Sequence, residues 1–267
     1  MPVSTAKRSY SITGLIKGTA SLDELVTLFL HWDEKELPAL YAKRVQHNGI
    51  LTKATSKRVE DLVLLVFRPW FLSTPGNRAA KTIRALAQSN IDRQILQELI
   101  FLFKARAEIV LYDYIQERFW PAYDEGALYL QPSEIEEFLQ FAQEAGRVEK
   151  SWAKYTQYRL AMGILGALKE VGFVREEKPR LYAYNPLEIN RFTLAYLAYE
   201  LHFAGQTDAA LVDHPDWRLF GLERARVVER LSELGEQGGL IVQQAGSVVR
   251  MTWLYASMDE VIHAYYG

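Results

Sequence analysis

The amino-acid sequence predicts a mainly α protein. A helical N-terminal domain is followed by helix-turn-helix or winged-helix-like elements, with short β-hairpin wings in the C-terminal half. Three observations carry this. Apolar residues recur at i, i+3 and i+4 along most of the chain. Capping-box spacings open two of the helices, at Ser21/Glu24 and Ser133/Glu136. Short runs with strand character appear late in the chain, each after a pair of helices.

In order, "SLDELVTLFLHW" (21–32) is a helix with Leu22, Leu25, Val26 and Phe29 on one face. "ELPALYAKRVQHN" (36–48) repeats the pattern with Leu37, Leu40, Tyr41 and Val45, and ends at Gly49. In "SKRVEDLVLLVFRPWF" the residues Val59, Leu62, Val63, Val66 and Trp70 form one stripe, which Pro69 is expected to kink or stop. The loop "STPGN" leads to helical segments over roughly 78–88 and 91–119, and Pro121 with "AYDEGALYLQP" marks a boundary. "PSEIEEFLQFAQEAG" is a helix that places Gly146 just past its end. The next helix starts at "EKSWAKY" with Ser151 as expected N-cap and stops at Gly172, and "FVREEKPRLYAY" reads as two strands around a Lys-Pro turn. The C-terminal part repeats the plan: helices over 186–205, "TDAALVDH" and 222–235, then a hairpin turning at Ala245-Gly246. The expected domains are 1–125, 126–185 and 186–267.

Composition narrows the function classes. There is no cysteine, so disulfides and thiolate metal sites are excluded, in keeping with a reducing cytoplasm. The N-terminus has no apolar targeting segment, and the longest apolar runs are interrupted or far short of the roughly 20 residues of a membrane span. A cytoplasmic protein without membrane partners is expected. The net charge of −2 is unevenly spread: residues 1–110 hold 16 Lys/Arg against 10 Asp/Glu (+6), and residues 111–267 hold 15 against 23 (−8).

Motifs for catalysis are missing. The five histidines (His31, His47, His202, His214 and His263) show no ligand spacing, and there is no P-loop, dinucleotide fingerprint or nucleophile elbow. "DHPDW" (213–217) reads as a turn rather than a metal site. No enzyme activity, cofactor or metal is expected.

Two helix starts carry cations where the helix dipole is already positive. Lys53, Lys57 and Arg58 surround Thr55 and Ser56; Arg147, Lys150 and Lys154 surround Ser151. Cations and hydroxyls beside free backbone N–H groups suit phosphate, and each helix follows another after a short turn, where a recognition helix belongs. At about 100° per residue, Leu160, Ile164, Leu168 and Val171 form the buried face of the second helix. Trp152, Tyr155, Thr156 and Arg159 lie opposite, on a stripe continued by Gly163 and Gly166. Trp152 is read as a packing contact and Arg159 as a ligand contact. Arg224, Arg226 and Arg230 alternate with Glu223, Glu229 and Glu233 and read as a solvated helix with local ion pairs.

The chain resembles the BrxA family, small accessory proteins of BREX phage-defence systems. The resemblance runs through "YSITGLIKG", "KATSKRVEDLV", "SWAKYTQYRLAMGILGALKEVGFV" and "PDWRLFGLERARVVERLSELGEQGGLIV". It implies an N-terminal part likened to the antitermination factor NusB, helix-turn-helix elements, and double-stranded-DNA binding without catalysis. The implied partners are an adenine-specific DNA methyltransferase, an alkaline-phosphatase-like protein and a large ATPase. The NusB likeness would instead suggest RNA, and a scaffold role within the same assembly is the rival reading. Proteins of this family have been labelled inner-membrane proteins, which the lack of an adequate apolar run here contradicts.

Overall fold

The computed structural model describes residues 9–10, 13–17, 20–52, 54–89, 91–236 and 238–266. Helix dominates, and two small antiparallel sheets lie in the C-terminal half. The chain divides into two compact units, Met1–Gln88 with Ile100–Pro186 and Ser89–Leu99 with Leu187–Gly267.

The first unit opens with α1 (Thr13–Lys17), α2 (Leu22–His31) and α3 (Pro38–His47). The capping box of α2 forms as expected: Glu24 N donates to Ser21 Oγ at 3.2 Å, and Ser21 N to Glu24 Oε2 at 2.8 Å. On α3 the predicted stripe holds only in part, because Leu37 and Leu40 are 67% and 53% exposed. Leu37 is the extended N-cap, outside the helical face. The Tyr41 hydroxyl donates to Leu28 O at 2.6 Å, so Tyr41 and Val45 define the docked side.

The stripe from Val59 to Trp70 is buried as predicted. It runs through α4 (Ser56–Asp61), a π-helical turn at Leu62–Phe67 and α5 (Arg68–Phe71). Pro69 does not end the helix. The ring would clash with the carbonyl four residues back, and widening the preceding turn relieves this: Arg68 N–H reaches Val63 O instead. The same solution recurs further on. After α6 (Arg78–Gln88) and α7 (Arg93–Ala107), α8 (Ile109–Tyr114) passes through a π turn at Ile115–Phe119 into α9 (Trp120–Asp124). There Pro121 sits at the second position, as Pro69 does in α5.

The unit closes with β1 (Tyr129–Leu130), α10 (Pro132–Glu144), α11 (Lys154–Val171), β2 (Val174–Lys178) and β3 (Leu181–Tyr184). The strands pair in the order β1-β3-β2, with Leu130 opposite Tyr182 and Val174 opposite Tyr184. The turn at Pro179-Arg180 holds Arg180 at φ 64°. Two caps differ from expectation. The capping box of α10 is Gln131/Glu134, not Ser133/Glu136, because Pro132 takes the first helical position, where its missing N–H is no loss. The N-cap of α11 is Ala153, two residues past Ser151.

The second unit holds α12 (Arg191–Phe203), α13 (Asp208–Val212), a 3-10 turn at Pro215–Phe220 and α14 (Arg224–Glu236). The hairpin β4 (Leu240–Ala245) with β5 (Val248–Trp253) and then α15 (Met258–Tyr266) follow. The Tyr199 hydroxyl donates to Gly239 O at 2.7 Å and accepts from Leu254 N at 3.0 Å, which ties both ends of the hairpin to α12. The buried Glu98 carboxylate accepts from Asn190 N at 3.0 Å and so stabilises the start of α12. Burial raises its pKa above the usual carboxylate value.

Candidate nucleic-acid interface

The two cationic helix starts differ once their partners are known. At the start of α4, Thr55 is the N-cap and its hydroxyl accepts from Arg58 N at 3.3 Å. Ser56, the first helical residue, is exposed. Lys57 Nζ lies 3.1 Å from both Glu60 and Asp61, and Arg58 forks onto the Glu24 carboxylate at 3.1 and 3.0 Å. Lys17 reaches Asp61 at 2.9 Å. The Lys17 hydrogen bond leads in holding the Asp61 carboxyl below its usual range, and the bond to Asp61 leads in raising Lys57. Three cations here face three carboxylates, so this helix start offers little net positive charge to an anion. Lys53 lies outside the described residues.

The start of α11 is open. Ala153 carries only a methyl group, so among the described residues the first backbone N–H groups of this 18-residue helix lack a side-chain acceptor. Lys150, Ser151 and Lys154 are exposed around this end, and among the described residues neither lysine has an ion-pair partner. Tyr155, 69% exposed, stands beside them.

The other residues predicted near this end serve the fold. Arg147 Nη1 binds Glu117 at 2.7 and 2.9 Å and Tyr10 Oη at 3.0 Å. Tyr10 donates to Asp113 at 2.6 Å, and Tyr10 N to Arg147 O at 3.0 Å. The Glu117 contact leads in raising the Arg147 pKa. Trp152 stacks on Tyr10 with centroids 6.5 Å apart, the packing role expected of it. Arg159 Nη2 donates to Ile16 O at 3.2 Å, and Nη1 to Tyr155 Oη at 3.4 Å. Its guanidinium therefore holds α1 in place. Arg147→Met is expected to cost about 1 kcal/mol, since this partly exposed network is screened. Urea titration would measure that loss, and nucleic-acid affinity should not change.

The third cluster forms the local pairs read from sequence: Arg226 meets Glu229 at 2.7 Å and Arg230 meets Glu233 at 2.9 Å. Arg224 pairs with Asp213. In "DHPDW", His214 Nδ1 accepts from Asp216 N at 3.3 Å inside the 3-10 turn. No described helix is long and apolar enough to cross a membrane.

The partners of Lys57 were within reach of sequence reasoning, since Glu60 and Asp61 follow it at i+3 and i+4 in "SKRVED". The Arg58–Glu24 pair, 34 positions apart, had no local signal.

A helical N-terminal part followed by two helix–helix–hairpin segments, with cations at an uncapped helix start, defines a mainly helical protein with small antiparallel sheets. The BrxA family model matches residues 8–197, and the chain belongs to the BrxA family, which makes it a BREX-associated protein. Comparisons with curated proteins and with solved structures give no match.

Proposed function

We propose that this chain binds double-stranded DNA, without catalysis of its own, as a cytoplasmic component of a BREX-type phage-defence assembly. The observation that carries the reading is the open start of α11 with Lys150, Ser151 and Lys154 around it. Unpaired cations at a helix N-terminus suit a phosphate, because dipole and charge act in the same direction. The order β1, α10, α11, β2, β3 is that of a winged helix. That order supports reading α11 as the recognition helix, with exposed Lys178 and Arg180 on the hairpin that would serve as the wing. The methyltransferase, phosphatase-like protein and ATPase of the system are the proposed protein partners.

A mobility-shift titration of a duplex across salt concentrations tests this. So few phosphate contacts give weak, salt-sensitive and mainly non-specific binding. Replacing Lys150 and Lys154 by alanine is expected to flatten the log–log salt slope by about 1.8. Replacing Lys57 and Arg58 should change it little, because their carboxylate partners already neutralise them. No shift of duplex at low salt by folded protein would sink the proposal. A shift of RNA alone would move the reading to the NusB-like alternative.

A further inference from the structure

We propose that a cavity of about 240 Å³ in the first unit, reached by Tyr114, Phe138 and Tyr184 and rimmed by Glu134 and Glu137, receives an arginine side chain of a partner protein. Tyr114 is 2% exposed, and its hydroxyl has no hydrogen-bond partner among the described residues. Tyr114 lines the cavity together with Tyr184, Glu134 and Arg118. A hydroxyl without a protein partner, on a residue that lines the cavity, is available to a ligand there.

The lining selects a cation. Glu134 and Glu137 stand one turn apart on α10, and the two tyrosine oxygens add further acceptors. The one basic group among the described lining residues, Arg118, has its guanidinium 5.7 Å from the Phe141 ring centroid. The lining therefore carries two negative charges against one positive. Glu134 already accepts from Gln131 N at 2.5 Å, which leaves its second oxygen for a ligand. Acceptors spread around aromatic faces match the flat, weakly hydrated guanidinium with its five donors better than a compact ammonium. The volume is below the roughly 300–1,000 Å³ of small-molecule sites, and fits one side chain rather than a cofactor. A free amino acid would also bring its carboxylate to an acidic rim, so a peptide-borne arginine is the better match. Nucleic-acid phosphate is disfavoured for the same reason, which separates this site from the start of α11.

Nα-acetyl-arginine amide, titrated into the full chain and followed by saturation-transfer NMR, is the probe. Saturable binding is expected with a dissociation constant on the order of 1 mM, with the acetyl-lysine amide several-fold weaker. Tyr114→Phe removes a hydroxyl that no described residue uses, so the fold should stand while binding weakens several-fold. Glu137→Gln, at the exposed rim, should do the same. No saturable signal with wild-type protein, or signals unchanged in both variants, would overturn the proposal. Equal binding of the lysine analogue would overturn its guanidinium selectivity.

Discussion

Gly163→Ala is expected to destabilise the chain by about 1–3 kcal/mol, whereas Gly166→Ala, three residues on in the same helix, is expected to stabilise it by about 0.5–1 kcal/mol. A Cβ at Gly163 would lie 2.8 Å from Leu15 O and 3.2 Å from its carbon, both backbone atoms of α1 that have no rotamer to escape into. A Cβ at Gly166 meets nothing within 4 Å, so alanine there brings only its better helix propensity. Because α1 is also held by Arg159, the clash at Gly163 should loosen the Arg159–Ile16 hydrogen bond. Gly14 gives the matching contact from the α1 side. Its Cβ would fall 1.7 Å from Glu108 Oε1 and 2.9 Å from Trp70 Nε1, two groups bonded to each other. Chemical denaturation of the three alanine variants gives the test. Equal stabilities for the Gly163 and Gly166 variants would show that α1 does not pack on α11 as described.

These contacts show what a single sequence reveals and what it hides. The buried face of α11 was legible because Leu160, Ile164, Leu168 and Val171 obey one helical period, and all four are buried. The hairpins were legible because their turns are marked, by Lys-Pro before Arg180 and by Ala245-Gly246. The partner of the opposite face of α11 was not legible. The stripe at Gly163 indicated a close neighbour, but nothing local named α1, which lies far away in sequence. Strand β1 has two residues, too few for any periodicity. The prolines were read by their usual effect, and the π turns before Pro69 and Pro121 absorb it. Among the site residues, local spacing would have discounted Lys57. The openness of α11 depends on where the helix begins, and that shifted from Ser151 to Ala153. The shift leaves the hydroxyl of Ser151 outside the cap and Lys154 as the first helical residue, which sharpens the anion-binding reading.

Glu108→Gln is expected to flatten the pH dependence of stability on the alkaline side of the ordinary carboxylate pKa. Glu108, 4% exposed, stands at the break between α7 and α8, and its Oε1 accepts from Trp70 Nε1 at 2.8 Å. Its Oε2 is buried without a hydrogen-bond partner among the described residues. Burial is the largest influence and raises its pKa; the Trp70 hydrogen bond and the charge of Lys104 act the other way without reversing it. Lys104, itself buried, sits 5.0 Å from the Trp70 ring centroid and bonds Glu170 at 2.8 Å. The sign follows from proton counting. With the folded pKa above the unfolded one, the native state holds more protons between the two values, so stability falls as pH rises through that window. Below the window both states hold the proton and the penalty vanishes. Asp61, whose pKa is lowered, has the opposite sign: its contribution is present above the unfolded pKa and is lost as pH falls. Glutamine keeps an acceptor for Trp70 and cannot ionise, so its advantage over wild type should grow with pH through the window. Glu108→Ala removes the acceptor as well and leaves the indole N–H buried and unpaired, so it should cost about 1–3 kcal/mol below the window, and less above it because alanine cannot ionise either. Urea titrations at several pH values distinguish these cases. Parallel pH profiles for wild type and the glutamine variant would show that Glu108 ionises as readily in the folded chain as in the unfolded one. That would remove burial as the controlling influence on this carboxylate.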